Sequence, residues 1–160
     1  MLMKMFLIPG WLCCASIAFA GPMDPIISSA SVSETVPGQS TATLQMNIST
    51  IKAIQLISVS TDVARSVEIH SVKLVRGKMV PHIVSSFKLP AHRTVDFGSK
   101  NLFLMMTGIN KTLNAGDNIP LTVTYAFADK KRHSLTTVAI VRKAELSYKH
   151  YEENRVYEHR

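Results

Sequence analysis

The most constraining feature of this chain is a repeated alternation of apolar and polar residues. Ala42, Leu44, Met46 and Ile48 take one side of an extended run, and Thr43, Gln45 and Asn47 take the other. A period of two places successive side chains on opposite faces of a pleated strand, so one face is buried and the other meets water. Short β-branched runs at Ile54 to Ser60 and Ser66 to Val75 follow the same rule. In the second, Val67, Ile69 and Lys73 share one parity, and Glu68, His70, Val72 and Leu74 share the other. Ile119 to Ala128 and Ser134 to Val141 are rich in Val, Thr, Ile and Tyr, residues that suit a half-buried pleated surface. Turn chemistry separates the runs at Pro37-Gly38, Arg76-Gly77, Pro90, Gly98, Asn114-Ala115-Gly116-Asp117 and Asp129-Lys130-Lys131. The last is expected to join two long strands as a hairpin. No body segment carries a convincing helical period. The pattern predicts a single all-β domain, an antiparallel β-sandwich or barrel.

The N-terminal 20 residues stand apart. Lys4 is followed by an almost wholly apolar run from Met5 to Ala18, then Ala18-Phe19-Ala20 before Gly21. This is the layout of a secretory signal peptide cleaved after Ala20. The apolar run is shorter than the roughly 20 residues a spanning helix requires. A lipid-attachment reading is weak, because Cys14 is preceded by Cys13 and has Trp11 at the usual leucine position. Export removes both cysteines and the only tryptophan, and losing Lys4 lowers the formal net charge from +7 by one. A domain over residues 21–142 would then rest on its apolar core without a disulfide. Residues 143–160 are charged and hold Tyr148, His150, Tyr151, Tyr157 and His159, and read as a solvated tail or short helix.

Composition narrows the function classes. The mean hydropathy of +0.14 and 46% hydrophobic content argue against a disordered chain. The 18 Lys and Arg are scattered, with only Lys130, Lys131 and Arg132 adjacent, so a dedicated nucleic-acid surface is not expected. No P-loop, dinucleotide fingerprint, HExxH or G-x-S-x-G is present, and the chain does not read as an enzyme. What remains is a Cys-free set of His and Met: His70, His82, His92, His133, His150 and His159, with Met23, Met46, Met79, Met105 and Met106. Imidazole with thioether is a donor set that suits Cu(I) in an oxidising compartment. His70 lies mid-strand, Met79 and His82 follow the Gly77 turn on the expected partner strand, and Phe103 and Met105 share one face of Leu102 to Met106.

Five segments carry a resemblance. Val67-Glu68-Ile69-His70, Gly77-Lys78-Met79, Leu89-Pro90-Ala91, Leu102-Phe103-Leu104-Met105-Met106-Thr107-Gly108 and Leu113-Asn114-Ala115-Gly116-Asp117-Asn118-Ile119-Pro120-Leu121-Thr122-Val123-Thr124-Tyr125 resemble, in order and spacing, the periplasmic copper chaperone PCu(A)C family. The likeness spans about Thr41 to Val141, and the Ala-Gly-Asp-x-Ile-Pro-Leu-Thr stretch is its most specific part. The resemblance implies a cupredoxin-like β-sandwich, Cu(I) held by His and Met, and delivery to a CuA site of a cytochrome oxidase subunit. The family pattern is His, Met eleven residues later, then His-x-Met. Carried over, these positions are His70, Pro81, Phe103 and Met105. Two donors survive. Met79, one pleat from position 81, and His82, turned to its face by a bulge at Pro81, are the candidates to complete a site with His70 and Met105. The resulting expectation is a periplasmic, monomeric Cu(I) carrier whose partner is a copper-accepting oxidase subunit, with no membrane partner in its mature form. The alternative is a metal-free interaction module on the same scaffold, with Phe103 plugging a decayed site.

Overall fold

The computed structural model describes residues 24–143, and the expected runs are all strands there. The readings of a signal peptide at 1–20 and a tail at 143–160 concern residues that lie, apart from Lys143, outside the described ones. The strands are β1 (Ile26–Ser33), β2 (Thr41–Thr50), β3 (Ile54–Ser60), β4 (Ala64–Val75), β5 (Lys78–Val84), β6 (Phe87–Leu89), β7 (Arg93–Asp96), β8 (Gly98–Ser99), β9 (Leu102–Ile109), β10 (Asn118–Ala126) and β11 (Arg132–Arg142). Among the described residues no helix is long and apolar enough to cross a membrane.

The hydrogen-bonded path runs β4-β3-β10-β11-β1-β2-β9, and a further β9–β4 ladder closes it into a seven-stranded barrel. Closure pairs strand edges that would otherwise be open. β5 extends from β4, while β6 joins β3, β7 joins β2 and β8 joins β9. Two results depart from the sequence reading. β1 and β11 pair in parallel, Ser31 with Ile140 and Val32 with Val141, so the barrel is not purely antiparallel. Two strands near opposite ends of the chain need no tight connection, so nothing forces them to be antiparallel. Gly98, expected as a turn, is instead in β8, opposite Phe103. Phe97 beside it is fully buried and edge-on to Phe87, which holds the segment against the barrel.

Inward residues of each strand fill the barrel. Leu44, Met46 and Ile48 of β2, Leu104 and Met106 of β9, and Ile119, Leu121, Val123 and Tyr125 of β10 are all essentially buried. Tyr125 brings a phenol into this core, and its hydroxyl donates to Asp24 Oδ1. Burial and the adjacent Asp24 carboxylate push its pKa up to about 12.

Two turns have specific backbone needs. Arg76 (φ 50°) and Gly77 (φ 78°) form the two-residue β4–β5 loop, and positive φ at both positions suits the right-handed twist of a hairpin. Gly108 (φ 66°) packs so closely on β4 that a Cβ there would sit 2.8 Å from the Arg65 Cβ.

Candidate metal centre

The β4–β9 ladder separates core from surface by parity. Ile69, Leu104 and Met106 point inward and are buried. The other parity places Ser66 opposite Thr107, Glu68 opposite Met105 and His70 opposite Phe103. On the far side of β4, His70 faces Ile83, Val72 faces Pro81 and Leu74 faces Met79. Cross-strand partners share a face. Positions 70, 81, 103 and 105 therefore all lie on one outer face of the β5-β4-β9 strip.

His70 is held by two neighbours. Its side chain is 14% exposed, Phe103 stacks on it with centroids 5.2 Å apart and planes at 7°, and Nε2 lies 3.0 Å from Glu68 Oε2. Glu68, two residues away on the same strand, was not singled out from sequence as a site residue. The signal was there: it shares parity with His70. Met105, opposite Glu68, is diagonal to His70, a relation that sets Cα atoms about 7–8 Å apart and within reach of long side chains. It is half-buried beside Thr43 of β2. Below this pair, Ser66 Oγ and Thr107 Oγ1 are 2.7 Å apart and close that end of the face.

The other two sequence candidates are placed elsewhere. The register from Ile69↔Val84 to Val75↔Lys78 is unbroken, so Pro81 makes no bulge. β5 is an edge strand, where a proline costs no interior ladder bond. His82 consequently pairs with Ser71 and stays on the face opposite His70. Met79 has the right parity but lies four residues along β5 from Ile83, the residue opposite His70; that is about 13 Å of strand. The ladder thus brings His70 and Met105 together, without Met79 or His82. Of the remaining set, Met46 and Met106 are core residues, and His92 and His133 are exposed, His133 stacking on Tyr125. Met23, His150 and His159 lie outside the described residues. Among the described residues, no three His, Asp or Glu side chains converge as a metal-holding group.

The fold has solved counterparts. The copper-bound PCuAC domain from PmoF2 superposes with a TM-score of 0.59 at 20% identity, covering 74% of this chain and 92% of that one. Apo-DR1885 from Deinococcus radiodurans gives 0.57 at 20% identity over 91% of this chain and 97% of that one, and its Cu(I) form gives 0.54 at 23% over 80% and 83%. The resemblance to PCu(A)C proteins therefore holds for the fold. No curated protein matches the chain. A family described as “Putative lipoprotein LpqE-like” matches residues 26–138. A chain that keeps this barrel and matches that family over most of its length belongs to the LpqE-like family.

Proposed function

We propose that this is an exported, non-enzymatic, copper-chaperone-like protein that carries Cu(I) between His70 and Met105. The reading rests on one observation: these two residues share the outer face of the β4–β9 ladder, on a barrel like that of copper-bound PCuAC domains. Imidazole and thioether are donors a soft cation favours. Glu68 strengthens the case. A histidine ligand commonly donates its second ring N–H to a carboxylate, which fixes the tautomer and the ring direction. With Glu68 accepting at Nε2, Nδ1 is the nitrogen left for the ion. Cargo held by few soft donors on an outer face can be approached by a recipient's own donors and passed on by ligand exchange. The recipient class is a copper-accepting protein, with the CuA subunit of an oxidase as the specific candidate. Export to the periplasm belongs to the same proposal and is supported by the lipoprotein description of the family, although cleavage after Ala20 would leave no cysteine to carry a lipid.

The test is titration with Cu(I) against a competing chelator. Submicromolar affinity is expected, falling at least about tenfold in His70→Ala and hardly at all in His92→Ala or His133→Ala. Binding no tighter than micromolar would overturn the reading. It would leave the metal-free interaction module, which the stacking of Phe103 on His70 favours.

A further inference from the structure

β4 outruns the barrel. Its ladder with β9 ends at Ser71↔Leu102, reinforced by a bond from the Val72 N–H to the Asn101 carbonyl, and from Lys73 onward it pairs only with β5. Among the described residues, β5 in turn pairs only with β4. The end of this hairpin is a two-stranded ribbon standing off the core, an arrangement that is marginal in water unless something covers it.

The ribbon exposes apolar side chains on both faces. The Leu74–Met79 pair occupies one face, and these side chains are 69% and 59% exposed. The neighbouring pairs Lys73–Val80 and Val75–Lys78 occupy the other, with Val75 and Val80 also exposed. Lys73, Arg76 and Lys78 surround these side chains. From Ile69 to Val95 the sequence contains no Asp or Glu, while it holds five Lys and Arg: Lys73, Arg76, Lys78, Lys88 and Arg93. The candidate copper site lies at the base of the ribbon, and its Glu68 is turned to His70.

We infer that this ribbon is a membrane-docking element, whose tip enters the interface of an anionic lipid bilayer. A protein surface covers one face of a ribbon. Exposed apolar side chains on both faces call for a medium that surrounds the tip, and a lipid interface is such a medium. The acid-free cationic collar complements anionic headgroups, and apolar burial joined to such attraction is how amphipathic elements hold to membranes. The inference departs from the expectation that the exported chain has no membrane partner, and it holds whether or not copper binds.

All the described strands and core residues lie within Ile26–Arg142, so a chain starting at Gly21 retains every one of them. That chain contains no Trp, and Leu74→Trp gives it a single reporter at the tip. Vesicles of phosphatidylglycerol are expected to shift its emission to the blue in low salt, and phosphatidylcholine vesicles are not. Thr136→Trp, on the outer side of β11 across the barrel, should stay unshifted with both. Sedimentation with phosphatidylglycerol vesicles should weaken at least about tenfold in the double variant Leu74→Asp, Met79→Asp, which touches no core residue and should melt as the parent does. Three results would overturn the inference: no blue shift with anionic vesicles, undiminished sedimentation of the double variant, or a shift produced by polyglutamate and not by vesicles. The last would assign the ribbon to an acidic protein.

Discussion

The two faces of the β4–β9 ladder are built by the same strands and do different work. The inner face holds Ile69, Leu104 and Met106, three apolar side chains with almost no exposure. The outer face holds Glu68, His70, Phe103 and Met105, with a carboxylate–imidazole hydrogen bond, an aromatic stack and a thioether, all only half-buried. A closed barrel needs its inner face for stability and leaves its outer face free to vary. Chemistry on the outer face can therefore be lost or regained without loss of fold, and Pro81 and Phe103, where the resemblance implies Met and His, sit on that face. The contrast teaches where to expect each kind of effect: substitutions inside should move stability, and substitutions outside should move binding.

Neighbouring residues of β9 put this most sharply. Leu104→Ala removes a wholly buried side chain from a closed core and should cost about 2–5 kcal/mol of unfolding free energy. Met105→Ala should cost well under about 1.5 kcal/mol, yet weaken Cu(I) binding by about tenfold or more. Chemical denaturation with chelator-competed titration measures both. If the two variants lose stability equally, the division of labour between the faces is wrong.

The next effect is that of the ionisable group on the inner side. The Tyr125 hydroxyl has its pKa pushed up to about 12 by burial and by Asp24, against about 10 in the unfolded chain. The folded state keeps its proton longer, so this contribution is present in full below pH 10. It is lost as pH rises from 10 through 12, at most about 2–3 kcal/mol in total. Lysines titrate in the same range, so the readout is the difference between parent and Tyr125→Phe. The parent should lose more stability across that window than the variant, and parallel curves would show that Tyr125 remains as solvated when folded as when unfolded.

How far these differences were legible in the sequence depends on the length over which a rule operates. Alternation of period two identified β2, β3 and β4, and richness in Val, Thr, Ile and Tyr identified β10 and β11, because each is long enough to show a pattern; β9 read as strand-like from Leu102 to Met106. β1 escaped because its register slips between Ser28 and Ser31, with Ser29 at φ 54°, and the slip breaks the period. β6 and β7 are three and four residues long, too short to carry one. At the candidate site, parity placed His70 and Met105 and contained Glu68 unnoticed. It could not give cross-strand register, which decides that Ile83 faces His70 and that Met79 is two pleats removed. Nor could it show that Pro81 sits in an edge strand and leaves the ladder straight, which keeps His82 on the wrong face. Register between distant strands is set by closure of the barrel, and no local pattern encodes it.

The smallest effect tests the outer face alone. Phe103→His replaces a ring stacked on His70 with a second imidazole directly across the ladder, so two nitrogen donors and the Met105 thioether would lie on one face. Position 103 is half-buried and outside the core, so stability should change by less than about 1 kcal/mol. Cu(I) should bind at least about tenfold more tightly, which corresponds to about 1.4 kcal/mol. The gain should vanish when His70→Ala is added, because one imidazole then only replaces another. A Phe103→His protein that melts like the parent and holds copper no better would mean that the ion does not sit on this face. A gain that persists without His70 would place the donors elsewhere and reduce the Glu68–His70–Phe103 cluster to a packing device on the barrel wall.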